Sequence, residues 1–138
     1  MLEPVSNFPD LGAEKTQEII AAAIEIHREL GPGLLESVYE TCLFHELADK
    51  GFDVQKQCVC PVTFKGRIID EAYRIDLLVD DEIVIELKAV EQVLPIHRAQ
   101  IISYMKLGQF PLGLLMNFNK KLLSDGIQRF ALSEFERK

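Results

Sequence analysis

At 138 residues and 48% hydrophobic composition, the chain can bury one core without disulfide staples, and a second domain would be hard to fit. Its formal charge of −7 argues against the general basic footprint of a tight, nonspecific nucleic-acid binder, although clustered metal-binding carboxylates would add to that negative total. Cys42, Cys58 and Cys60 supply neither a disulfide framework nor a four-ligand zinc site, and no apolar run reaches the ~20 residues of a membrane span.

Residues 1–13 carry Pro4, Asn7, Pro9 and Gly12 and read as a flexible N-terminal arm ahead of a single domain over 14–138. The opening has no basic start followed by an apolar core, so a protein of the reducing cytoplasm is expected. The spacing of Ile19, Ile20, Ala23, Ile24 and Ile26 predicts a first helix from near Thr16 to Leu30, stopped by Gly31-Pro32-Gly33. A second helix follows at once, with Leu34, Leu35, Val38, Cys42, Leu43 and Leu47 at helical spacing until Gly51. From Phe52 to Val90 the period is that of strands, giving a three-strand antiparallel meander with one turn at Lys65-Gly66-Arg67. Cys58 and Cys60 read there as two small residues on one strand face. Pro95 opens a third helix that ends at Gly108, Leu112–Met116 reads as a buried strand beside the hairpin, and a last strand lies around Ile127 to Leu132.

The chemistry concentrates in the run IVIELKAV and in Asp76 before it. On a strand Glu86 and Lys88 project together while Ile85 and Leu87 point the other way. Alone, that pair is explained by an ion pair on a solvated sheet face. Asp76 changes the balance, because a three-residue loop, Asp80-Asp81-Glu82, sets it opposite Glu86, whereas a two-residue loop puts the pair on opposite faces unless a bulge intervenes. Two carboxylates converging from neighbouring strands suit Mg²⁺, which takes oxygen ligands at ~2.0–2.1 Å, binds through one or two carboxylates and keeps several waters. The lysine can orient an attacking water or neutralise charge developing on a phosphate. The combination points to phosphodiester hydrolysis.

Two helices contribute further candidates. Glu36 and Tyr39 share a face of the second helix, where Glu36 also fits a plain helix-start acid and Tyr39 a core-edge residue. Gln100 and Tyr104 line one side of the third helix, with His97 one turn earlier; His27 and His45 read as structural.

Taken together, GPGLLESVYE, YRIDLLVDDEIVIELKAV and HRAQIISYMKLGQFPLGLLMNF resemble the small GxxExxY proteins assigned to the PD-(D/E)XK nuclease superfamily, over about residues 15 to 131. The spacing Gln100-xxx-Tyr104 is similar to the helix motif of RecB-like members. The resemblance implies an α/β, restriction-endonuclease-like core: a mixed central sheet with an antiparallel β-meander, flanked by helices. It implies Asp76 and Glu86 as metal ligands, Glu36 as a further acid near the metal and Lys88 as the water-orienting or charge-stabilising group. Gln100 and Tyr104 would position substrate, Tyr39 would support Glu36, and the Leu87 carbonyl would offer another ligand. Ile75 stands where the superfamily's name expects proline. The implied cofactor is Mg²⁺ or Mn²⁺, and the implied substrate is nucleic acid, DNA ahead of RNA. A homodimer through the apolar first helix, Phe110 and Phe118 is a further expectation. The alternative is a non-cleaving nuclease-fold module that binds or regulates within a complex.

Overall fold

Hydrophobic periodicity becomes architecture through one sheet with a core on each face, described for residues 2–5 and 13–132 in a computed structural model. The elements are β1 (Leu2–Val5), α1 (Ala13–Leu30), α2 (Glu36–Asp49), β2 (Val54–Phe64), β3 (Arg67–Val79), β4 (Ile83–Lys88), α3 (Pro95–Gly108), β5 (Leu112–Asn117) and β6 (Ile127–Leu132). The sheet runs in the order β1-β6-β5-β4-β3-β2. Among the described residues only the β4/β5 pair is parallel, and α3 supplies the crossover that parallel neighbours require. This is the α/β, mixed-sheet, restriction-endonuclease-like arrangement that the sequence implied.

On one face, Ile19, Ala23 and Ile26 of α1 and Leu43 and Leu47 of α2 pack on Leu77, Val79, Ile83, Ile85, Leu87, Leu114 and Met116. On the other, Ile101 and Met105 of α3 cover Ile75, Leu78, Val84, Leu115 and Phe130. Each such buried side chain contributes about 1.5–3 kcal/mol of transfer free energy, so β4 and β5, covered on both faces, anchor the fold. Gly113 lets α3 approach closely, since a Cβ there would lie 2.5 Å from the Met105 sulfur. Cys58 and Cys60 do share a strand face, their sulfurs 3.9 Å apart.

The β3–β4 loop has the length that the site needs. Val79 pairs with Ile83, Leu78 with Val84 and Leu77 with Ile85, leaving Asp80, Asp81 and Glu82 between the strands. Asp80 and Asp81 sit at φ 53° and 54°, and Glu82 N–H closes the turn on the Val79 carbonyl at 3.0 Å. Two successive left-handed residues match the right-handed twist of the flanking strands. Lys15 of α1 pins the turn through Asp80 (3.0 Å) and Glu82 (2.8 Å).

Several expectations are corrected. Leu2–Val5, read as part of a flexible arm, pair antiparallel with β6 along Arg129–Leu132; residues 6–12 lie outside the described residues. The second helix starts at Glu36 and not at Leu34, because Leu35 is extended (φ −68°, ψ 147°). Of the residues expected on a dimer surface, Phe118 is fully buried and stacks on Tyr39, the apolar face of α1 lies on the sheet, and Phe110 is half-buried against the α3-side core.

Candidate active site

Asp76 stands where β3 changes face. Tyr73 and Ile75 pack on the α3 side of the sheet but Leu77 and Val79 on the α1/α2 side, so the alternation breaks between Ile75 and Leu77. Gln57, bracketed opposite Asp76 by the pairs Lys56↔Leu77 and Cys58↔Ile75, has φ 53°. A left-handed non-glycine residue costs about 1–2 kcal/mol, which marks a real distortion of β2 at this point.

The β3/β4 ladder ends at Leu77↔Ile85, and beyond it side chains take over the main-chain groups. Asp76 N–H donates to Glu86 Oε2 at 2.9 Å, and Leu87 N–H donates to Asp76 Oδ2 at 2.9 Å. The two carboxylates thus lace the split between the strands, and each keeps its second oxygen clear of the main chain. Glu86 is 3% exposed; burial first and the Asp76 charge second push its carboxyl up to about 8, against the Asp76 N–H and Lys88. Burial also raises Asp76, opposed by the Leu87 N–H, Lys88 and Gln57.

Lys88 is half-buried at the end of β4 and belongs to no ion pair among the described residues. The strand end that carries it is held firmly. Asn117, paired with Lys88 in the parallel register, accepts the Val90 N–H (3.1 Å) and donates to the Val90 carbonyl (2.9 Å), while Phe118 N–H donates to the Lys88 carbonyl at 2.8 Å.

From α2, Glu36 accepts the Ala89 N–H at 3.2 Å and so ties the helix start to the chain just past Lys88. Tyr39 is fully buried and touches the site indirectly: its hydroxyl donates to the Gly31 carbonyl (2.5 Å) and accepts the Leu34 N–H (3.1 Å). It fixes the loop that delivers Glu36, not the Glu36 carboxylate itself. Glu40, one turn beyond Glu36, is buried, and its carboxyl is raised by burial and then by Asp76. Gln57 Nε2 donates to Glu40 at 2.7 Å and reaches Asp76 Oδ1 at 3.4 Å.

From α3, Tyr104 stacks on Tyr73 with centroids 4.8 Å apart. Its phenol is raised by burial and then by the Glu86 charge, while a hydrogen bond from Gln100 works in the opposite direction. Gln100 and Tyr104 are thus linked on one side of α3, within the electrostatic reach of Glu86. His97 is elsewhere occupied: its Nδ1 accepts the Leu94 N–H at 3.0 Å and caps the start of α3.

With this geometry in place, the family model for the PD-(D/E)XK nuclease superfamily matches residues 13–130. The chain belongs to the PD-(D/E)XK nuclease superfamily. Comparison with curated proteins and with solved structures gave no match. The matched span contains both helical layers and the whole β2–β5 sheet.

Members of this superfamily generally use divalent metals, and the donor chemistry here fits one. Asp76 and Glu86 are hard oxygen donors, the first half-buried and the second buried, whose ionisation is opposed until a cation compensates it. The three-acid set with Glu36 is not assembled: among the described residues no three His, Cys, Asp or Glu side chains form a metal cluster. Sequence reasoning missed Glu40 and Gln57. Glu40 had a signal, since it lies four residues after Glu36 on the same helical face. Gln57 had none, because its place opposite Asp76 depends on the β2/β3 register.

Proposed function

We propose that the protein is a Mg²⁺- or Mn²⁺-dependent nuclease that hydrolyses phosphodiester bonds, with DNA as substrate ahead of RNA. The observation that carries this reading is the Asp76/Glu86 pair laced across the β3/β4 split, Glu86 buried and Asp76 half-buried, with the Lys88 ammonium, in no ion pair among the described residues, on the strand of Glu86. Asp76 and Glu86 would hold the ion through the oxygens not bonded to main chain, and Glu36 would serve a second position. When bound, a divalent ion polarises the phosphate and lowers the pKa of a coordinated water. Lys88 orients the attacking water and offsets charge on the phosphoryl oxygens. Gln100 and Tyr104 bond the substrate beside the reacting phosphate, and His97 supports them by setting the start of α3. The Glu40–Gln57 bond fixes Asp76 from the far side.

The Gly33-xx-Glu36-xx-Tyr39 spacing supports placement in the GxxExxY group, as one domain over residues 14–138 working in the cytoplasm. No helix among the described residues is long and apolar enough to cross a membrane. With Mg²⁺ or Mn²⁺, the purified protein should cut single- or double-stranded DNA or RNA, and EDTA should stop it. Asp76→Ala, Glu86→Ala and Lys88→Ala should each abolish cleavage; activity surviving all three changes sinks the assignment. One observation favours a non-cleaving module instead: no three-ligand cluster is assembled among the described residues. That reading predicts metal binding by calorimetry with no substrate cut.

A further inference from the structure

The distal part of the β2–β3 hairpin has no use in the site just described. From Pro61 to Ala72 every residue is exposed except Val62, which is half-buried, so the strands there pair only with each other. Phe64 is 62% exposed, Ile68 68% and Ile69 51%. An isolated two-stranded hairpin is marginal in water, and apolar residues on both its faces call for a covering partner.

Charge indicates what that partner is. Residues 61–72 hold Lys65 and Arg67 at the tip and Asp70 and Glu71 towards the base, so the positive charge is confined to the tip, in a chain of net charge −7. At the tip, the Lys65 ammonium lies 5.4 Å from the Phe64 ring centroid, and the turn places Arg67 opposite Phe64. An apolar and aromatic surface carrying two cations is complementary to a polynucleotide, whose bases stack and whose phosphates are anionic. Between the pairs Cys60↔Tyr73 and Val62↔Ile69 the register shifts, with three residues of β3 (70–72) against Pro61 of β2, which separates the tip from its base. That base is the site itself: the same strands carry Gln57 and Asp76, and a cavity of about 340 Å³ lined by Val59, Glu71, Ala72, Tyr73 and Arg74 lies between tip and carboxylates along the strands.

We propose that this hairpin is a nucleic-acid-binding arm, whose tip Phe64-Lys65-Gly66-Arg67 grips the polynucleotide beyond the reacting phosphate. The inference rests on the nuclease reading.

The test is fluorescence anisotropy of the full chain with labelled single- and double-stranded 30-mer DNA, across a salt series in Ca²⁺ to prevent cutting. Lys65→Glu/Arg67→Glu should weaken binding at least tenfold and flatten the salt dependence by about 0.9 per lost duplex phosphate contact. Phe64→Ala should weaken single-strand binding about tenfold. Arg28→Glu/Lys50→Glu, on α1 and at the end of α2, changes net charge equally and should weaken binding less than threefold. Equal losses in both double variants, or no loss in the arm variant, overturn the proposal while leaving cleavage by the wild type intact. A wild type that neither binds nor cuts sinks the nuclease reading with it. A wild-type dimer by ultracentrifugation that Phe64→Ala/Ile68→Ala dissociates, with DNA binding unchanged, makes the arm a self-association surface and also overturns it.

Discussion

Glu86 concentrates the conflict between stability and chemistry. Its carboxyl titrates near 8 in the folded protein, pushed there by burial and Asp76, whereas an unfolded glutamate titrates near its ordinary 4.5. Between those values the folded state holds a proton that the unfolded state has released, so stability of the metal-free protein falls as pH rises through this window. Glu86→Gln keeps an acceptor for the Asp76 N–H and removes the buried charge. In EDTA its melting temperature should match wild type near pH 4.5 and exceed it at pH 8 and above, while cleavage is lost. Equal melting curves at pH 8 would refute the electrostatic reading of this pair. Tyr39→Phe tests a different residue. Losing both bonds to Gly31 and Leu34 should destabilise by about 1–3 kcal/mol in urea unfolding, because the half-buried Gly31 carbonyl loses its donor and the Leu34 N–H its acceptor.

At the scale of elements, the β3–β4 hairpin sets the register on which the site depends. Asp80 caps the Asp53 N–H at 2.9 Å and pairs with Lys15, which together outweigh burial and hold its carboxyl below the usual range. A lowered carboxyl stabilises above the unfolded value of 3.8, and that contribution disappears as pH falls through the folded value. Asp80→Asn should therefore narrow the stability gap between neutral and acid pH, read by thermal melts at pH 7 and pH 3. Lys15→Ala should cost no more than about 1 kcal/mol, since the pair is largely solvated. The α2 helix shows how local pattern misleads by a residue or two: Leu34 and Leu35 sit at helical spacing, yet the tyrosine bond to Leu34 N–H holds this stretch outside the helix.

For the whole molecule, two faces of one sheet deliver different parts of the candidate site. The α1/α2 layer brings Glu36 and Glu40, the α3 layer brings Gln100 and Tyr104, and the strands between carry Asp76, Glu86 and Lys88. A ligand that bridges these parts stabilises the fold by mass action: at a hundred times its dissociation constant, a bound divalent ion adds about 2.7 kcal/mol. Mg²⁺ or Mn²⁺ should therefore raise the melting temperature of the wild type and not of Asp76→Ala/Glu86→Ala. An equal rise in both would place the ion elsewhere.

The helices, the meander, the buried strand after α3 and the three-residue loop between Asp76 and Glu86 were legible in the sequence, because periodicity and turn residues are local properties of the chain. Glu36, Gln100 and Tyr104 stood out in the sequence only as candidates, through their spacings on helix faces. Tertiary structure alone decided that Glu40 and Gln57 join Asp76, that Tyr39 and His97 brace backbone, and that Phe118 is core and not surface. It also decided that Leu2–Val5 pair with the last strand. Each of these depends on which distant segments become neighbours, a matter of register and layer packing to which no short window of residues has access.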